Sequence, residues 1–338
     1  MSIILGFESS CDETGIAIVK DGREVLANEI ASQIDIHKVF GGVVPEIASR
    51  QHTKIISQLT RQVMDTAGVQ VAAIDAIAAT QGPGLMGSLL VGLSFAKALA
   101  FSWGKPFVPV HHIEGHLFSA FLGERAPEFP FLALVVSGGH TQIVQCDRPH
   151  HYAILGATRD DAVGESFDKV ARLLDLPYPG GPSIQKAADG GNPAAYDFPR
   201  SMRGKSHLEF SYSGLKTAVL YALRDGGDTV NVADVAASFQ AAAIDILIIK
   251  TKQAIAQTGA RQLVIAGGVA ANRLLRERAV ADLGIEVFLP PFKYCVDNGA
   301  MIAAAADSLL AHGRTGDFTV TPNPSLPLSI LPAQKSGR

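Results

Sequence analysis

Short apolar runs separated by polar or glycine-rich turns recur along the chain, with longer helical stretches between them. Residues 3–7 and 15–19 read as strands around the polar turn Glu8-Ser-Ser-Cys-Asp-Glu-Thr14. Asp21-Gly22 then turns the chain into a third strand at residues 25–30. A helix is expected over residues 41–67, with Pro45 suited to its first turn. A strand at 74–79 leads through the glycine turn Gln81-Gly-Pro-Gly-Leu-Met-Gly87 into an apolar helix, and a further strand follows at 106–110. The order is β-β-β-α-β-α-β.

The pattern then restarts. Residues 131–136 form a strand, Ser137-Gly-Gly-His140 a tight turn, 141–146 the returning strand and 152–157 a third. A helix at 161–174, a strand at 263–266, a helix at 272–283 and an apolar helix ending at Ala311 complete the second set. The repetition is one of topology, not of residue identity. Two such lobes facing each other would make a cleft, with the turns 9–14 and 137–140 directed into it.

Composition narrows the class. A chain of 338 residues suits two domains or two lobes, and 18% charged residues with ample Ala, Leu, Val and Gly suit an α/β enzyme. The net charge of -3 means that any nucleic-acid contact rests on a local patch. Three dispersed cysteines, Cys11, Cys146 and Cys295, argue for a reducing, cytoplasmic setting. The N-terminus, with Glu8 and Asp12 close behind it, does not read as a signal peptide. Residues 85–103 are apolar enough to suggest a membrane span, but Lys97 and three serines favour a helix buried between layers.

Candidate chemistry gathers at the end of the 106–110 strand, where His111, His112 and His116 follow one another. On a helix, His112 and His116 share one face at a spacing that can hold a metal ion. Asp297, before the last apolar helix, is either an N-cap or a third ligand. Asp12 and Glu13 put two carboxylates on the first turn, which is either a solvated hairpin tip or a loop that orients a substrate. Tyr178-Pro-Gly-Gly-Pro182 is a rigid turn whose glycines let a flat ligand approach, and Ala266-Gly-Gly-Val-Ala-Ala-Asn272 is either a nucleotide-binding turn or an ordinary structural one. Arg50 and His52 are either cleft or helix-surface residues. Arg200, Arg203, Lys205 and Lys216 give the polar connector around residues 199–213 its cations.

These segments together resemble the TsaD family of tRNA N6-adenosine threonylcarbamoyltransferases, in its bacterial branch. The most specific pieces are His112-Ile-Glu-Gly-His116, Val135-Val-Ser-Gly-Gly-His140 and Gly267-Gly-Val-Ala-Ala-Asn272. Val296 stands where relatives usually carry Thr. The resemblance implies an α/β, actin-like and Hsp70-like ATPase (ASKHA) fold of two duplicated RNase H-like lobes around a cleft. One lobe is expected over residues 1–112 plus about 298–325, the other over 113–297, and a tail over 326–338. It implies transfer of a threonylcarbamoyl group from threonylcarbamoyl-AMP to the adenosine 3′ of the anticodon, in tRNAs reading codons that begin with A. It further implies one transition-metal ion, iron(II) before zinc, on His112, His116 and Asp297. Substrate contacts are expected at Val135, Val136, Ser137, Gly138, Gly139, Asp168, Gly181 and Asn272, and catalytic work at Asp12 or Glu13. The implied partners are tRNA, an inactive paralogue (TsaB) and a small ATPase (TsaE), with no membrane. The alternatives are a metal-dependent glycoprotease and an actin-fold kinase or ATPase; Ile113, where a zinc protease needs Glu after its first His, speaks against the former.

Overall fold

The computed structural model describes residues 1–328; part of the expected C-terminal tail, residues 329–338, lies outside the described residues. The chain divides into two compact units. The first comprises Met1–Ala126, Arg148–Tyr152 and the chain from Pro290 onward; the second comprises Pro127–Asp147 and Ala153–Leu289.

In the first unit β1 (Ile3–Glu8), β2 (Glu13–Lys20) and β3 (Glu24–Ser32) are followed by the short α1 (Ile34–His37), α2 (Pro45–Ala67), β4 (Ala76–Gly82), α3 (Met86–Trp103), β5 (Phe107–His111) and α4 (His112–Phe118). The sheet order is β3-β2-β1-β4-β5, with β1 antiparallel to β2 and parallel to β4. In the second unit β6 (Phe131–Val136), β7 (Thr141–Arg148) and β8 (His151–Ala157) precede α5 (Val163–Leu173), α6 (Gly180–Ala187), α7 (Ser213–Gly226), α8 (Val232–Thr258), β9 (Gln262–Ala266), α9 (Arg273–Asp282) and β10 (Glu286–Phe288). Its order is β10-β9-β6-β7-β8, again with the first strand antiparallel to the second and parallel to the fourth. Numbered within each unit, both sheets read 3-2-1-4-5. The duplication expected from the sequence is therefore present in the strand order itself.

The last helix, α10 (Gly299–Ala311), returns to the first unit. Side chains alternate across a strand, so β1 sends Ile4 to one face and Leu5 and Phe7 to the other. The first face packs on the alanine-rich α10, and the second on Ile56, Leu59 and Val63 of α2 and Leu93, Ala96 and Ala100 of α3. Glycine allows α10 to sit directly on the strands: a Cβ on Gly6 would lie 2.6 Å from the Gly299 carbonyl oxygen. A Cβ on Gly15 would lie 2.7 Å from the Gly299 nitrogen. This contact holds the start of α10, and so Asp297 just before it, at the end of the sheet that carries the 9–13 turn.

Two expectations are corrected. Residues 113–126, 148–152 and 290–297, expected with the second lobe, group with the first unit, where α4 packs on α10; a Cβ on Gly115 would lie 2.7 Å from Ile302. The apolar α3 is not buried between two layers. It covers the sheet with one stripe and leaves Leu90 and Phe101 51% and 75% exposed. It and α8 are both long and apolar enough to cross a membrane. Each packs within its own unit, α8 with Phe239, Ile244 and Leu247 fully buried.

Candidate functional site

Three consecutive decisions by histidines build the site in the first unit. His111 ends β5 and caps α4, its Nδ1 accepting from Ile113 N (3.1 Å) while Nε2 donates to the Leu326 carbonyl (3.0 Å). Burial pulls its pKa down to about 4, so it is a neutral cap and not a ligand. His112 and His116 then project from the same side of α4, with ring centroids 4.7 Å apart. Asp297 arrives from the other end of the chain: its Oδ1 lies 3.6 Å from His112 Nε2 and 3.1 Å from His116 Nε2. One donor atom from each of the three residues falls within 4.8 Å of the others.

Does this trio fit a metal? His116 is fully buried, and neither of its ring nitrogens makes a hydrogen bond. A buried polar ring left in that state is costly unless something else binds it. Two imidazoles and a carboxylate are a donor set for a divalent transition metal. The residues fit.

Glu8, which the sequence reading passed over, completes the surroundings. Its Oε2 is 3.1 Å from His112 Nδ1 and also accepts from Thr80 Oγ1 (2.6 Å), while its Oε1 accepts from Ser10 N. Burial opposes ionisation of Glu8, yet His112 outweighs it and holds the carboxyl below the usual range. Burial likewise opposes charge on His112, but Asp297 and Glu8 raise it to about 9. With Glu8 engaging Nδ1, the Nε2 of His112 is left facing Asp297. This carboxylate–histidine pairing is the arrangement that orients metal-ligating imidazoles. The available signal was an acidic residue ending an otherwise apolar strand.

The neighbouring turn is pinned by side chains. His52, fully buried on α2, donates from Nε2 to the Cys11 carbonyl (2.9 Å), and Ser88 Oγ donates to the same oxygen (3.0 Å). Thr14 Oγ1 is 2.7 Å from His52 Nδ1, and burial lowers the His52 pKa. Ser9 Oγ donates to the Ser88 carbonyl. His52 is thus a buried clamp and Arg50 an exposed helix residue. Asp12 is buried beside Glu13, whose Oε1 accepts from Ser32 Oγ. Burial, and next Asp12, push the Glu13 pKa up to about 9. Burial and the same acids raise the Cys11 thiol, so it is not an activated nucleophile.

In the second unit the corresponding turn is bare backbone. Ser137 N donates to the His140 carbonyl (2.8 Å) and His140 N to Ser137 Oγ (3.1 Å), which closes it. Gly138 and Gly139 are exposed, and a Cβ at either would meet nothing within 4 Å. Val135 and Val136 are fully buried, so they carry the turn and offer a ligand no side chain. Gly267, at φ +95°, comes so close beneath it that a Cβ would lie 2.4 Å from the Val136 carbonyl oxygen. Asp168 Oδ1 accepts from Gly180 N (2.6 Å), which fixes the start of α6 and leaves the space around Gly181 open. Asn272 caps α9 through Oδ1 (3.1 Å to Leu275 N) and donates from Nδ2 to Gln240 Oε1 (2.8 Å). Its side chain shapes the turn after β9.

The connector is less free than its composition implies. Arg200 pairs with Asp245 (3.0 Å), which also takes Arg278. Buried Lys250 donates to the Lys205 and His207 carbonyls. Asp160 accepts from Ser211 Oγ, Tyr212 N and Ser213 N, which ties down the end of the connector. Arg203 and Lys205 are exposed.

The family model described as TsaD, tRNA N6-adenosine threonylcarbamoyltransferase, matches residues 24–304. The chain belongs to this family. A relative from Bordetella bronchiseptica with that name is 51% identical over 98% of this chain and 99% of its own length. One from Geobacillus kaustophilus, also so named, is 50% identical over 96% of both chains. Among solved structures, full-length HypF in its phosphate- and nucleotide-bound form matches with a TM-score of 0.63 at 14% identity, over 92% of this chain and 46% of that one. Component A of the Acidaminococcus fermentans (R)-2-hydroxyglutaryl-CoA dehydratase matches at 0.57 and 15%, over 92% and 100%. At these identities the likeness concerns the fold alone. With the duplicated sheets, it is the actin-like ATPase fold expected from the TsaD resemblance.

Proposed function

We propose that this TsaD-family chain transfers the threonylcarbamoyl group of threonylcarbamoyl-AMP to N6 of the adenosine 3′ of the anticodon, in tRNAs that read codons beginning with A. The observation that carries the reading is identity of about half over nearly the whole length to relatives named for this transfer. The reaction makes physical sense of the residues. The adenine amine is a weak nucleophile because its lone pair is delocalised, so the carbonyl must be activated. The mixed anhydride with AMP activates it: the N6–C bond forms, the C–O bond to phosphate breaks, and AMP leaves with the electron pair.

His112, His116 and Asp297 are the residues that would hold a metal, iron(II) before zinc, which when bound neutralises charge on the departing phosphate. Glu8 orients His112. The N–H groups around Ser137, Gly138 and Gly139 receive phosphate or carbamoyl oxygens. Asp168 and Asn272 hold the backbone beside which ribose and base lie, with Gly181 leaving them room. The N6 proton goes to the carboxylate pair. Burial and the neighbouring Asp12 push the Glu13 pKa up to about 9, so the crowded pair shares a proton at neutral pH and the accepting role falls to its remaining carboxylate, Asp12 or Glu13. Glu114, the acid nearest in sequence to the two histidines, is held by His150 and Tyr152, so it supplies no general base for a protease.

The setting is the cytoplasm, consistent with the three dispersed cysteines Cys11, Cys146 and Cys295. The working assembly includes the paralogue TsaB and the ATPase TsaE. Nucleoside analysis of tRNA from depleted cells tests the whole reading. Loss of N6-threonylcarbamoyladenosine, restored by the wild-type chain, is expected; an unchanged level on depletion would overturn it.

A further inference from the structure

A second buried polar cluster lies in the first unit and takes no part in the reaction above. His150, 3% exposed, sits between two helices. Its Nδ1 donates to Glu114 Oε1 on α4 (2.6 Å), and Ser308 Oγ on α10 donates to its Nε2 (3.1 Å). Tyr152 OH donates to the same Glu114 oxygen (2.7 Å), and His150 N donates to Tyr152 OH (3.2 Å). Phe118 stacks against the ring at 6.1 Å and His312 meets it edge-on at 5.1 Å. To present the ring there, His150 adopts φ +63°, a backbone conformation uncommon outside glycine.

We infer that His150 is a positioning residue for the metal site, bracing the helix that carries two ligands against the helix that follows the third. The argument is geometric. On a helix with about 100° per residue, Glu114 lies roughly 200° from both His112 and His116, on the opposite side of α4. Fixing Glu114 therefore fixes the rotation of a seven-residue helix whose other side presents both imidazoles. Ser308 lies about ten residues along α10 from its cap Asn298, roughly 15 Å along the axis. Fixing it sets the angle at which α10 delivers Asp297. A single ring bonded to both helices couples the separation of His116 and Asp297 to packing on the far side of α4. Without it, α4 keeps the Tyr152–Glu114 bond and the Glu8–His112 contact but loses its hydrogen-bonded link to Ser308 on α10.

The inference rests on the metal reading above, and cobalt(II) binding separates the two. The purified full-length chain is titrated with cobalt(II), following the visible ligand-field spectrum and the melting temperature. His150→Gly removes the ring yet suits the positive φ, Ser308→Ala cuts only the α10 arm, and Glu114→Gln weakens only the α4 arm. We expect wild type to bind and His112→Ala to lose binding. His150→Gly should bind about tenfold more weakly with a changed spectrum, in line with losses of roughly 10–100-fold at residues behind metal ligands. His150→Asn, whose amide still donates to Glu114, should recover part of the spectrum. The Glu114→Gln/Ser308→Ala pair should cost no more than His150→Gly, because both substitutions cut one brace. A His150→Gly protein with wild-type affinity and spectrum, whatever its melting temperature, would reduce His150 to packing. Equal binding by wild type and His112→Ala would overturn the metal trio, and the brace with it.

Discussion

The turn between the first two strands occurs twice in this molecule, at equivalent places in two sheets of the same order, and its two copies are built oppositely. Residues 9–13 are crossed by buried side chains: His52 and Ser88 hold the Cys11 carbonyl, Glu8 holds Ser10, and Asp12 and Glu13 crowd together. Residues 137–140 are closed by two hydrogen bonds, and Gly138 and Gly139 stand open. One copy stores ionisable groups at controlled pKa. The other presents main-chain donors without side chains in the way. On the function proposed above, the same scaffold position would serve proton transfer in one unit and oxygen recognition in the other, a separation that fold alone does not dictate.

The largest effect should come from the proposed metal ligands His112, His116 and Asp297, in the same unit as the charged copy. His112→Ala or His116→Ala should lower transfer on the order of 10,000-fold, about 5 kcal/mol, with metal lost and the fold retained. Elemental analysis alongside circular dichroism checks this, and unchanged metal content would undo the ligand assignment. Next, Asp12→Ala should slow transfer about 100-fold or more while adenylate binding stays intact. Single-turnover rates decide it: a rate within about twofold of wild type would make Asp12 a hairpin residue.

The glycine copy should respond in binding. Gly138→Ala has room for its methyl group, so stability should hold while donor affinity falls about tenfold, roughly 1.4 kcal/mol. Gly267→Ala should instead destabilise the fold by about 1–3 kcal/mol, because it is strained at φ +95° and blocked by Val136. Calorimetry on both variants would blur the contrast if their losses coincided.

A smaller effect concerns pH. The folded pKa of Glu13 is raised to about 9 from an ordinary 4.5, so folded protein holds a proton that the unfolded chain releases. Its stabilising contribution is full below pH 4.5 and is lost as pH rises towards 9. Glu13→Gln, which cannot release a proton, should flatten that decline in denaturant titrations from pH 5 to 9; an unaltered slope would assign the decline to other groups.

The smallest effect is expected from the connector. Arg203→Glu or Lys205→Glu should each weaken tRNA binding and reduce the magnitude of its salt slope by about one per lost phosphate contact. Arg200→Glu should lower stability as well, since it leaves Asp245 facing a like charge. Salt titrations with and without the proposed partner, the paralogue TsaB, measure the first; tRNA binding indifferent to these reversals would mark the connector as a solvated loop.

Local pattern carried much of the fold. β6 was legible to the residue, because an apolar run bounded by a proline and a glycine turn has few other readings. The His112 and His116 pair was legible because a four-residue spacing is a statement about one helix face. The 27-residue α8 was missed because a helix buried on most sides shows no amphipathic period. The three-residue β10 is too short for any pattern to register.

What the sequence by itself determined is everything whose cause lies within a few residues: strand and helix periods, glycine turns, the His pair and the repeated order of elements. Only the tertiary structure decided which partners distant residues would find. Asp297 reaches His116 across 181 residues of chain because Gly6, Gly15 and Gly299 allow α10 to lie against the first sheet. Glu8 becomes the partner of His112, His52 the clamp of Cys11, and Arg200 a closed ion pair, each through the packing of elements distant in sequence. A side chain's charge state and freedom depend on what burial brings against it, and burial is a property of the packed layers, not of neighbours in sequence.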